Sequence, residues 1–219
     1  MLKALLFDLD GTIVSTDPLH LSVWRELLQP YGYTVDKGFY QARISGRLNA
    51  DIVLDLLPQL GAEGEPEFSA AKEARFRELA ADGLTPMAGL LPMLQWGQQQ
   101  GLAMAVVTNA PRANAEFMLQ TMALEHYFNP VVLAGELPLG KPDPLPYQEA
   151  LHLLNLKPDE ALAFEDSISG VRSAVGAGLV TIGIASTHTP AVLHEAGATL
   201  VVPDFTAEDL LQFGLMASA

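Results

Sequence analysis

The sequence of 219 residues contains no cysteine, and this absence excludes several kinds of site at once. A disulfide framework, a thiol nucleophile and a thiolate-bound metal are all ruled out. Basic residues are scarce as well, because 12 Lys and Arg stand against 26 Asp and Glu and give a formal net charge of −14. Nucleic acids and anionic membrane surfaces are polyanions, so a chain this acidic is poorly suited to bind either of them.

Long apolar runs are also missing. The N-terminal apolar run meets Asp8 almost at once, whereas a signal peptide needs a longer apolar region and a spanning helix needs about 20 apolar residues. We therefore expect a cytoplasmic protein with no membrane partner. The hydrophobic fraction of 49% is still large enough for a sizeable core, which argues against disorder. The oligomeric state stays open, and a monomer is compatible with the sequence.

Short apolar runs alternate with stretches of helical spacing over most of the chain. The runs that predict buried parallel strands are Lys3–Phe7, Ala103–Thr108, Val131–Ala134, Ala161–Phe164, Val180–Ile184 and Thr199–Val202. The predicted helices among them are Leu90–Gln100, Arg112–Leu124, Leu145–Leu154 and Ser169–Ala177. This alternation is typical of a doubly wound, Rossmann-like α/β fold with a parallel sheet.

The first part of the chain departs from this rhythm, because no convincing strand follows the first one until Ala103. Helical segments are predicted at Leu19–Gln29, Val35–Arg43, Ala50–Leu57 and Pro66–Ala81, with breaks at Pro30–Gly32, Ser45–Gly46 and Gly61–Gly64. We predict a small all-helical cap domain at residues 15–83, inserted after the first strand. The α/β core domain would then comprise residues 1–14 and 84–219.

Polar side chains follow the predicted strands at the edge of the sheet where open α/β folds bind ligands. In chain order they are Asp8, Asp10, Thr108, Asn109, Lys141, Glu165 and Asp166. Four carboxylates brought together repel one another unless a cation neutralises them, and oxygen ligands of this kind suit Mg²⁺. One of the first two carboxylates could attack an electrophile while the other handles a proton. A lysine and a threonine hydroxyl nearby could hold a phosphate group.

These residues resemble the four motifs of the haloacid dehalogenase-like superfamily in their order and spacing. The matching segments are Phe7–Thr12, Thr108–Asn109, Lys141–Pro142 and Phe164–Ser167. The resemblance covers essentially the whole chain, since the helical insert is similar to the small cap of that superfamily. It implies a Mg²⁺-dependent phosphotransferase that works through an aspartyl-phosphate intermediate.

The resemblance also implies a role for each matching residue. Asp8 would be the nucleophile and Asp10 the general acid and base. Asp8, the backbone carbonyl of Asp10 and Asp166 would hold the metal, with Glu165 nearby or in an outer shell. Thr108 and Lys141 would bind the phosphoryl group that is transferred.

Within the superfamily, the chain is similar to the branch of β-phosphoglucomutases and sugar phosphatases. By this similarity the residues that would meet the rest of the substrate are Asn109 and three cap residues, His20, Arg47 and Lys72. The mutase usually carries serine and alanine where Thr108 and Asn109 stand, which favours a phosphatase. We therefore expect hydrolysis of a small phosphate monoester, namely a sugar phosphate.

Two other functions remain open from the sequence. A phosphomutase would use the same core residues and return the phosphoryl group to a second sugar hydroxyl. A non-catalytic binding protein on the same scaffold would be expected to lack one of four residues, but Asp8, Asp10, Lys141 and Asp166 are all present. A halide-removing enzyme is disfavoured, because that reaction needs no second aspartate at position 10.

Simpler structural explanations compete with some of these roles. Glu165 and Asp166 could merely begin a helix, and Asn109 could merely form a turn. His20, Arg47 and Lys72 could be ordinary residues of a helical domain, either packed in its core or solvated on its surface.

Overall fold

Six short strands form one parallel sheet. They are β1 (Ala4–Phe7), β2 (Ala103–Thr108), β3 (Val131–Leu133), β4 (Ala161–Glu165), β5 (Val180–Ile184) and β6 (Leu200–Val202). Their spatial order is β3-β2-β1-β4-β5-β6, which is the order of a doubly wound α/β fold. The predicted fold class is therefore confirmed, and each predicted strand end lies within one residue of the observed one.

The computed structural model describes residues 1–45 and 47–216, and it divides into two compact units. One unit consists of Met1–Ser15 and Thr85–Ala219 and contains the sheet; the other is Thr16–Leu84. The helices of the second unit are α1 (Asp17–Leu28), α2 (Lys37–Arg43), α3 (Asn49–Leu56) and α4 (Gly61–Ala80). Those of the first are α5 (Leu90–Gln99), α6 (Arg112–Thr121), α7 (Leu145–Leu154), α8 (Ile168–Gly176) and α9 (Pro190–Ala196).

Helices cover both faces of the sheet, because successive side chains of a strand point to opposite sides. On one face, Leu6 of β1 belongs to a buried cluster with Tyr147 of α7. On the other face, Leu5 and Met104 lie so near Gly97 of α5 that a Cβ there would contact both side chains. The sheet edge at the carboxyl ends of the strands is left to the loops that carry the polar residues.

The helical unit has a hydrophobic core of its own. Its buried members include Trp24 and Leu28 of α1, Tyr40 of α2 and Ile52 and Leu56 of α3. Tyr40 also donates a hydrogen bond from its hydroxyl to Asp17 Oδ1, at 2.8 Å. Within the described residues, no helix of either unit combines the length and the apolarity that crossing a membrane requires.

Two local predictions differ from the structure. The predicted break at Gly61–Gly64 is wrong, because α4 begins at Gly61, and Gly61 makes the turn alone with φ of 62°. Glycine disfavours a helix by only about 1 kcal/mol, which the rest of a long helix outweighs. Helix α9 was not predicted, since seven residues are too few to show a periodic pattern. The predicted break at Ser45–Gly46 includes Gly46, which lies outside the described residues.

Candidate active site

Strand register brings the predicted polar residues of the core together at one end of the sheet. Phe7 of β1 lies opposite Val106 of β2 and Phe164 of β4. Asp8 follows directly, and its backbone N–H donates to the carbonyl oxygen of Phe164 at 3.0 Å. Thr108 and Glu165 are the last residues of their strands, so all three side chains start from the same edge.

Lys141 connects two of the buried carboxylates of this edge, those of Asp8 and Glu165. Its Nζ donates to Asp8 Oδ1 at 2.6 Å, to the Val107 carbonyl oxygen at 2.7 Å and to Glu165 Oε1. An ammonium group has three hydrogens, and each of them has an acceptor here. The side chain is almost fully buried, so these contacts are shielded from water.

Asn109 holds the backbone on which Lys141 sits. The N–H of Lys141 donates to Asn109 Oδ1 at 3.2 Å, and Asn109 Nδ2 donates to the carbonyl oxygen of Lys141 at 3.5 Å. The preceding Thr108 is buried, and its hydroxyl oxygen accepts the backbone N–H of Ala110 at 2.9 Å. A hydroxyl that accepts one hydrogen bond can still donate its own hydrogen. Thr108 therefore keeps the capacity to bind an anion.

Glu165 is fully buried and has donors on both of its oxygens. Oε1 accepts the Tyr147 hydroxyl at 2.9 Å in addition to Lys141, and Oε2 accepts the Ser167 hydroxyl at 3.3 Å. Gly170 makes room for this carboxylate, since a Cβ at that position would lie 1.9 Å from Glu165 Cδ. The helix-start explanation fails for Glu165, because the side chain that caps α8 belongs to Ser167, which accepts the Gly170 N–H at 3.0 Å.

Three acidic side chains could hold a metal ion. Asp8, Glu165 and Asp166 each offer one oxygen, and these oxygens lie within 4.8 Å of one another. Hard oxygen donors are the ligands of Mg²⁺ and Ca²⁺, so the donor set fits such a cation. Gly11 contributes to the fit. A Cβ at this position would lie only 2.1 Å from Asp166 Oδ2, and the φ of 88° at Gly11 is one that residues other than glycine disfavour.

Asp10 and His188 lie on loops beside this cluster. Asp10 is half-buried in the turn after β1, where the Gly11 N–H donates to the Val14 carbonyl oxygen at 2.7 Å. His188 follows β5, and its Nδ1 lies 3.2 Å from the backbone carbonyl oxygen of Asp166. A carbonyl oxygen can only accept, so Nδ1 carries the proton in this contact.

The burial of these groups moves their pKa values. Burial raises the pKa of Asp8 to about 8, the Glu165 carboxylate adds to the rise, and Lys141 opposes it. For Lys141, burial lowers the pKa, but the Asp8 and Glu165 carboxylates outweigh it and hold the pKa above its ordinary value. Burial, reinforced by Glu165, also raises the pKa of Tyr147 well above its usual range. Lys141 is therefore a permanent positive charge beside Asp8 and Glu165, whereas Asp8 itself is ionised only in part near pH 7.

In the helical unit, the structure brings together two of the three predicted substrate residues. Lys72 Nζ lies 3.0 Å from His20 Nδ1, and His20 stacks on Phe76 with ring centroids 4.3 Å apart. Lys72 is only 3% exposed and also donates to Glu73 Oε1 at 2.8 Å. An ammonium group cannot accept a hydrogen bond, so Nδ1 of His20 accepts in this contact. Asn49 donates to the same oxygen of Glu73.

The acid beside Lys72 is ionised. Burial alone would raise the pKa of Glu73, but the charge and hydrogen bond of Lys72, together with His20 and Asn49, bring it below its ordinary value. The charge of Lys72 is thus matched by a neighbour within the same helix. Sequence spacing does not signal this pair, because adjacent residues of a helix point in different directions.

Arg47 lies apart from that cluster, on the surface of the helical unit. Its guanidinium donates to Asp55 Oδ2 at 2.9 Å, to the Arg43 carbonyl oxygen at 2.8 Å and to the Asp51 carbonyl oxygen at 3.1 Å. Arg43 donates to the same oxygen of Asp55 at 3.0 Å. The hydrogen bond from Arg47, followed by the one from Arg43, brings the pKa of Asp55 below its usual value.

Sequence reasoning missed two residues at the core site. Tyr147 is a buried tyrosine in the middle of an amphipathic helix, a pattern that indicates packing rather than a polar contact. The spacing of His188 to other residues matches no metal-site pattern, so the sequence gives no sign of its contact with the Asp166 carbonyl oxygen. The buried hydroxyl of Tyr147 is a signal that could have been used, since a buried tyrosine hydroxyl requires a hydrogen-bond partner.

Comparisons with known proteins find similar chains that match along nearly the whole length of this one. A phosphorylated carbohydrates phosphatase of Thermotoga maritima is 31% identical over 206 residues, which cover 92% of this chain and 94% of the relative. A β-phosphoglucomutase of Mycobacterium tuberculosis is 30% identical, with 92% of this chain and 89% of the relative covered. Among solved structures, a variant of protein CbbY from Rhodobacter sphaeroides in complex with xylulose-(1,5)bisphosphate matches with a TM-score of 0.82 and 26% identity, covering 94% of this chain and 95% of that one.

The family comparison includes every element that carries the core site. A family model described as haloacid dehalogenase-like hydrolase matches residues 5–184, from β1 to the end of β5. With this match and the 31% identity over nearly its full length, the chain belongs to the haloacid dehalogenase-like hydrolase family.

Proposed function

We propose that this protein is a Mg²⁺-dependent phosphatase that hydrolyses a small sugar phosphate through an aspartyl-phosphate on Asp8. The observation that carries the proposal is the contact of Asp8 with Lys141 inside a cluster of buried carboxylates. A carboxylate nucleophile, a fixed positive charge and a set of hard cation ligands then lie together at one end of the sheet. The name of the Thermotoga maritima relative, a phosphatase of phosphorylated carbohydrates, supports the same substrate class.

The reaction needs two displacements at phosphorus. In the first, a carboxylate oxygen of Asp8 forms a bond to phosphorus while the ester P–O bond breaks, and Asp10 gives a proton to the departing alcohol. In the second, Asp10 takes a proton from water, the water oxygen bonds to phosphorus, and the bond to Asp8 breaks. Free phosphate leaves and both aspartates return to their starting states.

Other residues stabilise the charge that develops on the phosphoryl oxygens. Lys141 supplies a permanent positive charge and Thr108 a hydroxyl donor, and fixed groups of this kind lower the barrier because they need no reorganisation. Mg²⁺, held by Asp8 and Asp166 with Glu165 beside them, would neutralise carboxylates and phosphoryl oxygens together. We further propose that the helical unit, as a cap domain, selects the substrate, with His20, Arg47 and Lys72 as its candidate contacts.

A panel of phosphorylated metabolites assayed for release of inorganic phosphate tests the proposal. We expect release with Mg²⁺ and loss of it when the cation is chelated. Asp8→Asn should lower turnover by at least about 10³-fold, because the neutral amide is not a nucleophile. Near-normal turnover of this folded variant, or full activity without divalent cation, would contradict the proposal.

A phosphomutase is the second candidate, and the β-phosphoglucomutase relative favours it. The same core residues would then return the phosphoryl group to a second hydroxyl of the sugar. Conversion of β-glucose 1-phosphate to the 6-phosphate, without net release of phosphate, would support the mutase. Free phosphate as the main product from every substrate would reject it.

A further inference from the structure

Tyr147 is a buried tyrosine whose polar contact lies inside the core site. It belongs to α7, its side chain is fully buried, and its hydroxyl donates to Glu165 Oε1 at 2.9 Å. The ring also faces Lys141, whose Nζ lies 5.2 Å from the ring centroid. The first residue of the helix after Lys141 is Leu145, so the loop and the helix bring both donors to the same carboxylate.

Glu165 has two alternative partners at the sheet edge. Its oxygen Oε1 accepts from Lys141 and Tyr147, which keeps the carboxylate on the side of the ammonium group. A Glu165 oxygen also lies within 4.8 Å of oxygens of Asp8 and Asp166, where a cation would bind. The same carboxylate can therefore anchor Lys141 or add a third negative ligand to the cation.

We propose that Tyr147 is a positioning residue that holds Glu165 on Lys141 and away from the cation. The proposal rests on the proposed phosphatase function, in which Lys141 must stabilise the transferred phosphoryl group. Two donors to one carboxylate oxygen fix both its distance from each donor and the orientation of the carboxylate. Tyr147 touches neither substrate nor cation, and it acts through Glu165.

Removing the hydroxyl alone should shift this balance. In Tyr147→Phe the ring stays in the core. Oε1 of Glu165 loses the Tyr147 donor and keeps the Lys141 donor. Glu165 then gains freedom to turn toward the cation, and Lys141 loses the fixed anchor that orients it. Turnover should fall because the ammonium group is misplaced in the transition state, and the cation should bind more tightly because a third carboxylate reaches it.

The experiment compares Tyr147→Phe with Tyr33→Phe as a matched control. Tyr33 lies in the helical unit and donates its hydroxyl to the Leu56 carbonyl oxygen at 2.6 Å, so its variant also loses one tyrosine hydrogen bond. Thermal unfolding of both variants establishes that they fold. Steady-state kinetics on the best substrate then give kcat and KM, and calorimetry without substrate gives the Mg²⁺ dissociation constant.

For Tyr147→Phe we expect kcat to fall at least threefold with KM within twofold of wild type, and the Mg²⁺ dissociation constant to fall at least twofold. Tyr33→Phe should change neither kcat nor Mg²⁺ binding. A kcat within threefold of wild type, or Mg²⁺ binding that is unchanged or weaker, overturns the positioning role. If wild type hydrolyses no phosphate ester, the proposed function fails, while the Mg²⁺ comparison still tests whether Tyr147 restrains Glu165.

Discussion

Two buried lysines, one in each unit, show how differently the core and the helical unit use the same kind of side chain. Lys141 bridges two carboxylates that lie far apart in the sequence and meet at the end of the sheet. Lys72 is matched by Glu73, its immediate neighbour in the chain, and contacts His20. The charge of Lys141 is therefore part of a multi-strand cluster that can hold a cation. The charge of Lys72 is largely satisfied within one small group of helix residues.

The comparison teaches which roles follow from topology and which from local packing. Residues at the carboxyl ends of parallel strands meet whatever the details of their side chains. Residues of a helical domain meet only if their helix faces pack together. A nearby Asp or Glu can then form an ion pair with a lysine or arginine that was predicted to bind substrate. A lysine or arginine predicted to bind substrate in such a domain must therefore be checked for an internal partner.

Among the changes that compare the two units, loss of Lys141 should have the largest effect. In Lys141→Met, Asp8 and Glu165 lose their shared cation inside the protein, and we expect a stability loss of about 3–5 kcal/mol without metal. Turnover should fall by about 10²-fold or more, because a fixed positive charge at the transition state is removed. Urea unfolding and phosphate release measure the two effects.

Two comparison variants sharpen this test. Lys3→Met removes an exposed lysine of the same unit that pairs with the half-buried Glu160 at the surface, so it should change little. Lys72→Met removes the buried lysine of the helical unit, and its loss of turnover should be smaller than that of Lys141→Met. Equal losses of kcat for Lys141→Met and Lys72→Met would contradict the conclusion that the two buried lysines have different roles.

Gly11→Ala should have the next largest effect. The added Cβ would lie 2.1 Å from Asp166 Oδ2, so this carboxylate must move out of the cation cluster. We expect about a tenfold or larger loss of kcat and a higher Mg²⁺ requirement, because a misplaced group at a reaction centre is costly. A Mg²⁺ titration of phosphate release measures both.

Gly32→Ala is the matched control for this change. Gly32 has φ of 85°, close to the 88° of Gly11, but a Cβ there meets no atom within 4 Å. Both variants carry the strain of a left-handed alanine, about 1–2 kcal/mol, whereas only Gly11→Ala disturbs Asp166. Equal kinetic effects of the two would show that strain, and not the missing Cβ beside Asp166, is responsible.

Glu73→Gln should destabilise the helical unit with little effect on turnover. It leaves the buried charge of Lys72 without its carboxylate, and we expect a loss of about 1–3 kcal/mol at pH 7. The pKa of Glu73 is lowered by folding, so its contribution is complete above the unfolded pKa near 4.5 and disappears as the pH falls through the lower folded value. The Tm difference between wild type and variant should therefore shrink below about pH 4.5.

The exposed Glu78→Gln serves as the control for this helix. Glu78 pairs with Arg75 on the surface of α4 at 2.9 Å, with both side chains open to water. Its replacement should leave Tm nearly unchanged at every pH. A Tm difference for Glu73→Gln that stays constant down to pH 3 would contradict the ionised pair with Lys72.

The smallest effect is expected for Asp55→Asn. Asp55 accepts from Arg43 and Arg47, but all three side chains are exposed, and exposed ion pairs add little stability. The change in Tm relative to wild type should match that of Glu136→Gln. This variant breaks the exposed pair of Glu136 with Arg112 in the core unit. A clear drop in Tm for Asp55→Asn alone would show that this cluster shapes the surface loop that carries Arg47.

The sequence predicted the sheet and the core cluster well because both follow from repeating patterns. Buried parallel strands are short apolar runs, and the polar residue after each run marks the edge where the chain turns. Asp8, Thr108 and Glu165 could therefore be placed at one edge from the sequence alone. Their exact partners could not, because the direction of a side chain depends on neighbours from other strands.

The contacts that were missed depend on residues whose sequence signals point elsewhere. Tyr147 has the spacing of a core residue, and it is one, but its hydroxyl reaches Glu165 from the neighbouring layer. The Lys72–Glu73 contact joins adjacent helix residues, which the usual i, i+3 and i, i+4 spacings do not predict. Gly61–Gly64 contains two glycines, yet α4 includes all four of these positions, and only Gly61 has a positive φ.

The three hydrogens of Lys141 have one further consequence. Since each already has an acceptor, a phosphate oxygen can bind to this ammonium group only by taking the place of one of them. We expect Asp8 to be the acceptor that gives way, because it must approach phosphorus, so that anion binding at Lys141 becomes an exchange with the nucleophile. We expect Asp8→Asn, whose neutral amide competes less for Lys141, to bind inorganic phosphate more tightly than the wild-type protein although it turns over no substrate.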